Sequence, residues 1–130
     1  MIARVQTVDG VVAVDLDEEV VLGLEAGERL EPAAAVSVSL PRVIVAAASG
    51  STVVAVVDTR PPLLVSHDGG RTWRDSGRGL PAGRAVAVAE DDPDLVVYGA
   101  RNRLYVSRDG GRFWHGLAVE LPEIEAVAFS

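Results

Sequence analysis

The side chains best suited to bind a ligand in this sequence are four arginines: Arg60, Arg84, Arg101 and Arg103. A guanidinium group presents a planar fork of donors that matches a carboxylate, a sulfate or a phosphate. Arg60 and Arg101 are separated by 41 residues, a spacing that recurs elsewhere in the chain. The four arginines are therefore a candidate anion-binding set. The alternative is that they pair with nearby Asp and Glu side chains, where each exposed pair contributes about 0–1 kcal/mol.

Other kinds of reactive site find no support in the sequence. Cysteine is absent, which excludes a thiol nucleophile, a disulfide and a cysteine-based metal site. The two histidines, His67 and His115, lack metal-ligand spacing. The acidic stretch 90–94 contains Pro93 and predicts a turn, because a calcium loop would alternate its ligands and end on a distant Glu. We expect no catalytic residue, no metal and no cofactor.

Two octets, residues 66–73 and 107–114, repeat with the 41-residue spacing. Asp68 and Asp109 can accept hydrogen bonds from backbone N–H groups ahead of them, the glycines supply positive φ, and the tryptophans bury a large ring beside the turn. Each octet therefore predicts the turn of a β-hairpin. The residues given this structural role are Ser66, Asp68, Gly70, Trp73, Ser107, Asp109, Gly111 and Trp114.

The octets resemble the Asp-box, or BNR repeat, whose pattern is Ser-x-Asp-x-Gly-x-Thr-Trp. Sialidases, sortilin-type receptors, some glucanases and a photosystem II assembly factor family share it, and these proteins are mainly β-propellers. The resemblance implies that each octet closes the hairpin between the third and fourth strands of a blade, away from any catalytic centre. Phe113 departs from the pattern, which has Thr at that position.

The family also implies a place for the arginines. In a propeller, the loops between strands two and three and the loops between blades meet at one mouth of the axial channel. Sialidases similarly hold a substrate carboxylate with an arginine cluster, but their other sequence features are missing here. Tyr98 and Tyr105 fall within expected strands, and neither can be assigned as a nucleophile with a Glu partner.

The repeat defines the expected organisation of one domain, 1–130. Repeats fall near 1–41, 42–82 and 83–123, the first degenerate, with its octet position at 25–30 and an extra strand at 124–130. Each repeat predicts four short strands. In the third repeat these are roughly 85–89, 95–100, 104–107 and 113–117.

Runs such as Val53–Val57 are apolar on both faces, which favours strands covered on both sides. We therefore expect an all-β, partial β-propeller of three four-stranded blades, with a β-trefoil as the alternative. Known propellers use about 4 to 8 blades, so three blades do not close a ring. The expected partner is a second copy, giving a dimer of six blades, or the remainder of a longer propeller. The strand at 124–130 is expected to have no partner beyond the third blade.

The composition and charge of the chain argue against several classes of function. All 12 basic residues are arginines, against 19 acidic ones, and the net charge of −7 argues against a general nucleic-acid or anionic-membrane binder. No apolar run approaches the length of a membrane span, and the start of the chain lacks a signal-peptide core. A cytoplasmic location follows as an expectation, although Asp-box proteins are often exported.

The expected function is a non-catalytic scaffold or binding module for a protein or an anionic, glycan-like ligand. An assembly factor that binds a protein partner at the propeller mouth is one form of this function. The alternative is a fragment of a sialidase-like glycoside hydrolase whose catalytic residues lie outside this chain.

Overall fold

The chain folds into three four-stranded antiparallel sheets. A computed structural model describes residues 1–31 and 36–130, and no helix occurs in these two ranges. The all-β prediction is confirmed. Valine-rich runs supply most of the strands, because β-branched side chains pack well on a pleated surface.

Sheet I begins at the amino terminus with β1 (Ile2–Thr7), β2 (Gly10–Asp15) and β3 (Val20–Ala26). The strands form a meander in which β2 pairs with both β1 and β3. The turn between β2 and β3 spans residues 16–19. In the other two sheets, the turn before the last strand of the sheet holds an octet. In sheet I the last strand is β3, so the equivalent turn is 16–19, and the position expected at 25–30 is wrong.

Sheet II consists of β4 (Val43–Ser49), β5 (Thr52–Val57), β6 (Leu63–Ser66) and β7 (Arg74–Ser76), paired in that order. All six residues of β5 are buried, which agrees with the two-sided apolar character of this run. The first octet connects β6 to β7.

Sheet III consists of β8 (Ala85–Ala89), β9 (Asp92–Ala100), β10 (Arg103–Ser107) and β11 (His115–Gly116). The second octet connects β10 to β11. These bounds lie close to the strands predicted for the third repeat, with two differences. The strand β9 begins at Asp92, so the turn predicted at 90–94 is limited to residues 90 and 91, and β11 is reduced to two residues.

The last strand, β12 (Ile124–Phe129), pairs along its length with β1, so the strand order of sheet I is β12-β1-β2-β3 and β12 is the first strand of this sheet. The prediction that this strand lacks a partner beyond the third blade is therefore wrong. Local pattern could not have shown the pairing, because the two strands stand at opposite ends of the sequence.

The three sheets stack in the order II, III, I. The first strands of the three sheets lie together, since β8 contacts both β4 and β12. One core joins sheets I and III and includes Val5, Val14, Val97 and Leu104. A second core joins sheets II and III and includes Val56, Leu63, Val96 and Tyr98. Sheet III is thus covered on both faces, while sheets I and II each turn one face away from it.

Candidate functional site

The first octet forms a turn organised by the Asp68 carboxylate. Asp68 Oδ1 accepts hydrogen bonds from the amides of Arg71 and Thr72 at 3.0 and 2.9 Å and from the Ser66 hydroxyl at 2.7 Å. The Thr72 hydroxyl donates to Asp68 Oδ2 at 2.6 Å. The Ser66 oxygen in turn accepts from the Gly70 amide at 2.8 Å. The turn therefore satisfies the amides of Gly70, Arg71 and Thr72 itself, as the sequence predicts, while the Gly69 amide donates to the Ser51 carbonyl at 2.9 Å.

These bonds lower the pKa of Asp68 far below its usual value, with the Thr72 hydroxyl as the largest cause and the Thr72 amide next. Hydrogen bonds donated to a carboxylate favour its charged form. A general acid needs the opposite shift, so the chemistry of Asp68 is that of a fixed acceptor in the turn.

The second octet repeats the arrangement with one bond fewer. Asp109 Oδ1 accepts from the amides of Arg112 and Phe113 at 3.1 and 3.0 Å and from the Ser107 hydroxyl at 2.7 Å. Phe113 offers no hydroxyl and leaves its ring 79% exposed. Burial acts to raise the pKa of Asp109, but the amide of Phe113, the Ser107 hydroxyl and the amide of Arg112 outweigh it, and the pKa is lowered.

The two tryptophans make different contacts. Trp73 Nε1 donates to the carbonyl of Gly70 in its own turn at 3.1 Å. Trp114 Nε1 donates to the Ser76 hydroxyl of sheet II at 2.9 Å, and that hydroxyl donates to the carbonyl of Gly111. The second octet is therefore bound to the neighbouring sheet as well as to its own strands. Nothing in the repeat pattern singled out Ser76.

Glycines allow sheet II to approach the second turn closely. A Cβ atom built on Gly110 would lie 2.7 Å from His67 Cε1, and one on Gly111 would lie 3.0 Å from Val65 Cγ2. In the first turn, a Cβ atom built on Gly69 would meet nothing within 4 Å, and one on Gly70 would lie 3.5 Å from the Trp73 ring. All four glycines have positive φ, so only the second pair serves both the turn and the packing between sheets.

A depression of about 440 Å³ opens where the two octets meet. Two arginines and two aspartates are among its lining residues, and the carboxylate of Asp68 already accepts the hydrogen bonds of its own turn. This mixture selects no single ligand charge. The lining residues are Val65, His67, Asp68, Thr72, Arg74, Asp75, Ser76, Gly111 and Arg112.

Sheet I joins sheet III through acidic residues of the turn 16–19. Asp17 pairs with Arg108 of the second octet at 2.9 Å. Glu19 accepts from the amide of Ala118 at 2.9 Å and lies 3.0 Å from His115 Nε2. The contact with His115, followed by that with Ala118, lowers the pKa of Glu19. This turn lacks the residues of the octets, yet its carboxylates bind the neighbouring sheet.

The four candidate arginines separate into two groups. Arg84 pairs with Glu123 at 3.4 Å and Arg103 with Glu120 at 3.3 Å, both in exposed positions. Arg60 and Arg101 form no ion pair within 4.0 Å among the described residues. Arg101 occupies the two-residue turn between β9 and β10 at a φ of 50°, and its carbonyl accepts from the amide of Ile124 at 2.6 Å.

A second depression, of about 320 Å³, brings Arg60 together with an arginine that the sequence did not single out, Arg78. Both arginines are exposed, and no carboxylate lines the depression. The repeat shift could not reveal the pair, because Arg78 matches Val119 in the next repeat. The lining residues are Arg60, Pro61, Pro62, Arg78, Gly79 and Leu80.

Comparison of the chain with protein-family models, curated proteins and solved structures found no match.

The tyrosines and histidines carry no visible reactive arrangement. The Tyr98 hydroxyl donates to the carbonyl of Pro81 at 2.7 Å, and burial, with a smaller contribution from Tyr105, raises the pKa of Tyr98 to about 12. A phenol held in this way is a poor nucleophile. Across residues 1–31 and 36–130, no group of three His, Asp or Glu side chains is placed to hold a metal ion, and no helix is long and apolar enough to cross a bilayer.

Proposed function

We propose that this chain is a non-catalytic binding module or scaffold of the Asp-box β-propeller type. The observation that carries the proposal is the placement of both octets at the third turn of their sheets, where each aspartate holds its own turn. The contact of β8 with β4 and β12 further supports a radial arrangement of blades around these first strands.

The module becomes a closed ring by pairing with a second copy, which gives six blades. Support comes from the outer sheets, whose second faces have no covering sheet within the described residues. On sheet II, Ile44 of β4 is 50% exposed. On sheet I, the edge strand β3 exposes Val20, Val21, Leu22 and Leu24. Exposed aliphatic side chains at both ends of a stack favour association. The remainder of a longer propeller would cover the same faces.

The binding surface of the module is the rim opposite the octets. Four connections lie at this end of the strands: 58–62, 77–84, 101–102 and 117–123. These connections carry Arg60, Arg84 and Arg101. The fourth predicted ligand-binding arginine, Arg103, is the first residue of β10 beside them. A protein partner or an anionic, glycan-like ligand would bind here.

The mass of the protein in solution tests the ring. We expect a stable dimer of twice the 13.6 kDa chain mass in sedimentation or light scattering. Ile44→Arg should dissociate the dimer, because the charge would enter the interface between the two three-bladed copies. Phe113→Arg is the matched control, since it replaces an exposed side chain in a turn of the central sheet. A soluble monomer at all concentrations would contradict the closed dimer.

A further inference from the structure

The depression formed by Arg60 and Arg78 has a fixed backbone frame. Arg60 belongs to the loop between β5 and β6, which the bond from the Val57 amide to the Pro62 carbonyl closes at 2.8 Å. Arg78 belongs to the connection after β7, where the Leu80 amide donates to the Gly77 carbonyl at 2.9 Å. Leu63 pairs with Ser76, so the two loops leave adjacent strands side by side.

Arg78 stands at the corner of a defined β-turn. The bond between Leu80 and Gly77 spans four residues, and Gly79 in the third position has a φ of 87°. Positive φ at this position is typical of a type II turn, which requires glycine there. Leu80 is half-buried and packs against the core between sheets II and III. The turn is therefore anchored, and Arg78 is presented from a preformed loop.

Charge also distinguishes this depression. Of the other ten arginines, five form ion pairs, namely Arg4, Arg29, Arg84, Arg103 and Arg108, and none of the remaining five lines this depression. Within the described residues neither Arg60 nor Arg78 has a carboxylate within 4.0 Å, and none lines the depression. Two guanidinium groups thus share one hollow without a counter-charge, in a chain with a net charge of −7.

We propose that Arg60 and Arg78 form a binding site for an oxyanion group, a carboxylate or a sulfate or phosphate ester, carried on a ligand with an apolar face. Two planar forks can each donate to the oxygens of such a group. Pro61, Pro62 and Leu80 supply apolar surface beside the guanidinium groups. This site deepens the proposed binding function, because it names the ligand class and assigns it to this pair rather than to Arg84 and Arg103.

The test is a titration of the intact chain at low ionic strength with inorganic phosphate, inorganic sulfate, acetate, a sulfated oligosaccharide and its desulfated form. We expect the sulfated oligosaccharide to bind more tightly than the bare ions, and the desulfated form not to bind. Amide NMR shifts should localise to 58–62 and 77–80. Arg60→Gln and Arg78→Gln should each weaken binding about tenfold, because each removes charge-assisted hydrogen bonds to the ligand.

Arg71→Gln is the matched control, because it removes the same charge from the opposite rim. An equal loss of affinity in this variant would show a general charge effect and overturn the site. Unchanged binding in Arg60→Gln and Arg78→Gln, or no binding by any probe, would overturn it too. Oligomer mass, measured on the same samples, reports separately on the ring, so either proposal can fail without the other.

Discussion

Trp114 of the second octet donates its indole N–H to the hydroxyl of Ser76 at 2.9 Å, across the boundary between sheets III and II. The Ser76 hydroxyl in turn donates a hydrogen bond to the carbonyl of Gly111. The hydroxyl is buried and uses both its acceptor and its donor capacity. The side chain of Ser76 thus links sheet II to the second octet of sheet III.

Ser76→Ala should destabilise the protein by about 1–3 kcal/mol, because the Trp114 N–H and the Gly111 carbonyl would lose their buried partner. Chemical denaturation followed by tryptophan fluorescence measures the loss. Ser49→Ala is the control, since the Ser49 hydroxyl also crosses from sheet II to the Glu90 carbonyl of sheet III, but in an exposed position. Equal losses in the two variants would contradict the role given to burial.

Gly111→Ala should be more destabilising than Gly70→Ala. Both glycines have nearly the same φ, 91° and 92°, so the strain of a Cβ atom in that conformation is matched. Only at Gly111 would the new atom crowd a buried β-branched neighbour, Val65. Overpacking of this kind adds about 1–3 kcal/mol. Thermal denaturation measures the decrease in Tm of the two variants. An equal decrease would show that Val65 of sheet II moves away from the new Cβ atom without cost.

Phe113→Thr should raise Tm by about 2 °C, because the new threonine hydroxyl can donate a hydrogen bond to the Asp109 carboxylate, as the Thr72 hydroxyl does to Asp68. The pKa of Asp109 should fall further, which a carboxyl NMR titration measures. Thr72→Val is the converse variant and should bring the pKa of Asp68 back toward its usual value. A Tm and an Asp109 pKa unchanged by Phe113→Thr would show that the hydroxyl does not reach the carboxylate.

Stability should fall with acid because the pKa values of Asp68 and Asp109 are lowered in the folded chain. In the unfolded chain both carboxyls take up protons near their usual pKa of about 3.9. The stabilisation is therefore complete above that value and is lost as the pH falls through it toward the folded pKa values. Urea denaturation between pH 7 and pH 2 measures the slope. The double variant Asp68→Asn and Asp109→Asn should have a shallower slope, and an unchanged slope would assign the acid sensitivity to other carboxyls.

Local chemistry explains what the sequence predicted well. The octets fix their own turns through bonds that span at most four residues, so the roles of Ser66, Asp68 and Gly70 follow from residue type and spacing. The strands of the third repeat follow from runs of Val and Ala.

What the sequence did not predict depends on contacts between distant segments. The pairing of β12 with β1 has no local signal, and it shifts the place of the degenerate turn in sheet I. Ser76 and Arg78 acquire their roles only when neighbouring sheets or loops come together. The ion pairs of Arg84 and Arg103 depend in the same way on where Glu123 and Glu120 come to lie.

The pairing of β12 with β1 also determines the order in which the three sheets can form during translation. Sheets II and III each draw their strands from one continuous stretch and can form as that stretch emerges. Sheet I cannot be completed until β12 has left the exit tunnel, so one edge of β1 stays unpaired while the residues between β1 and β12 are translated.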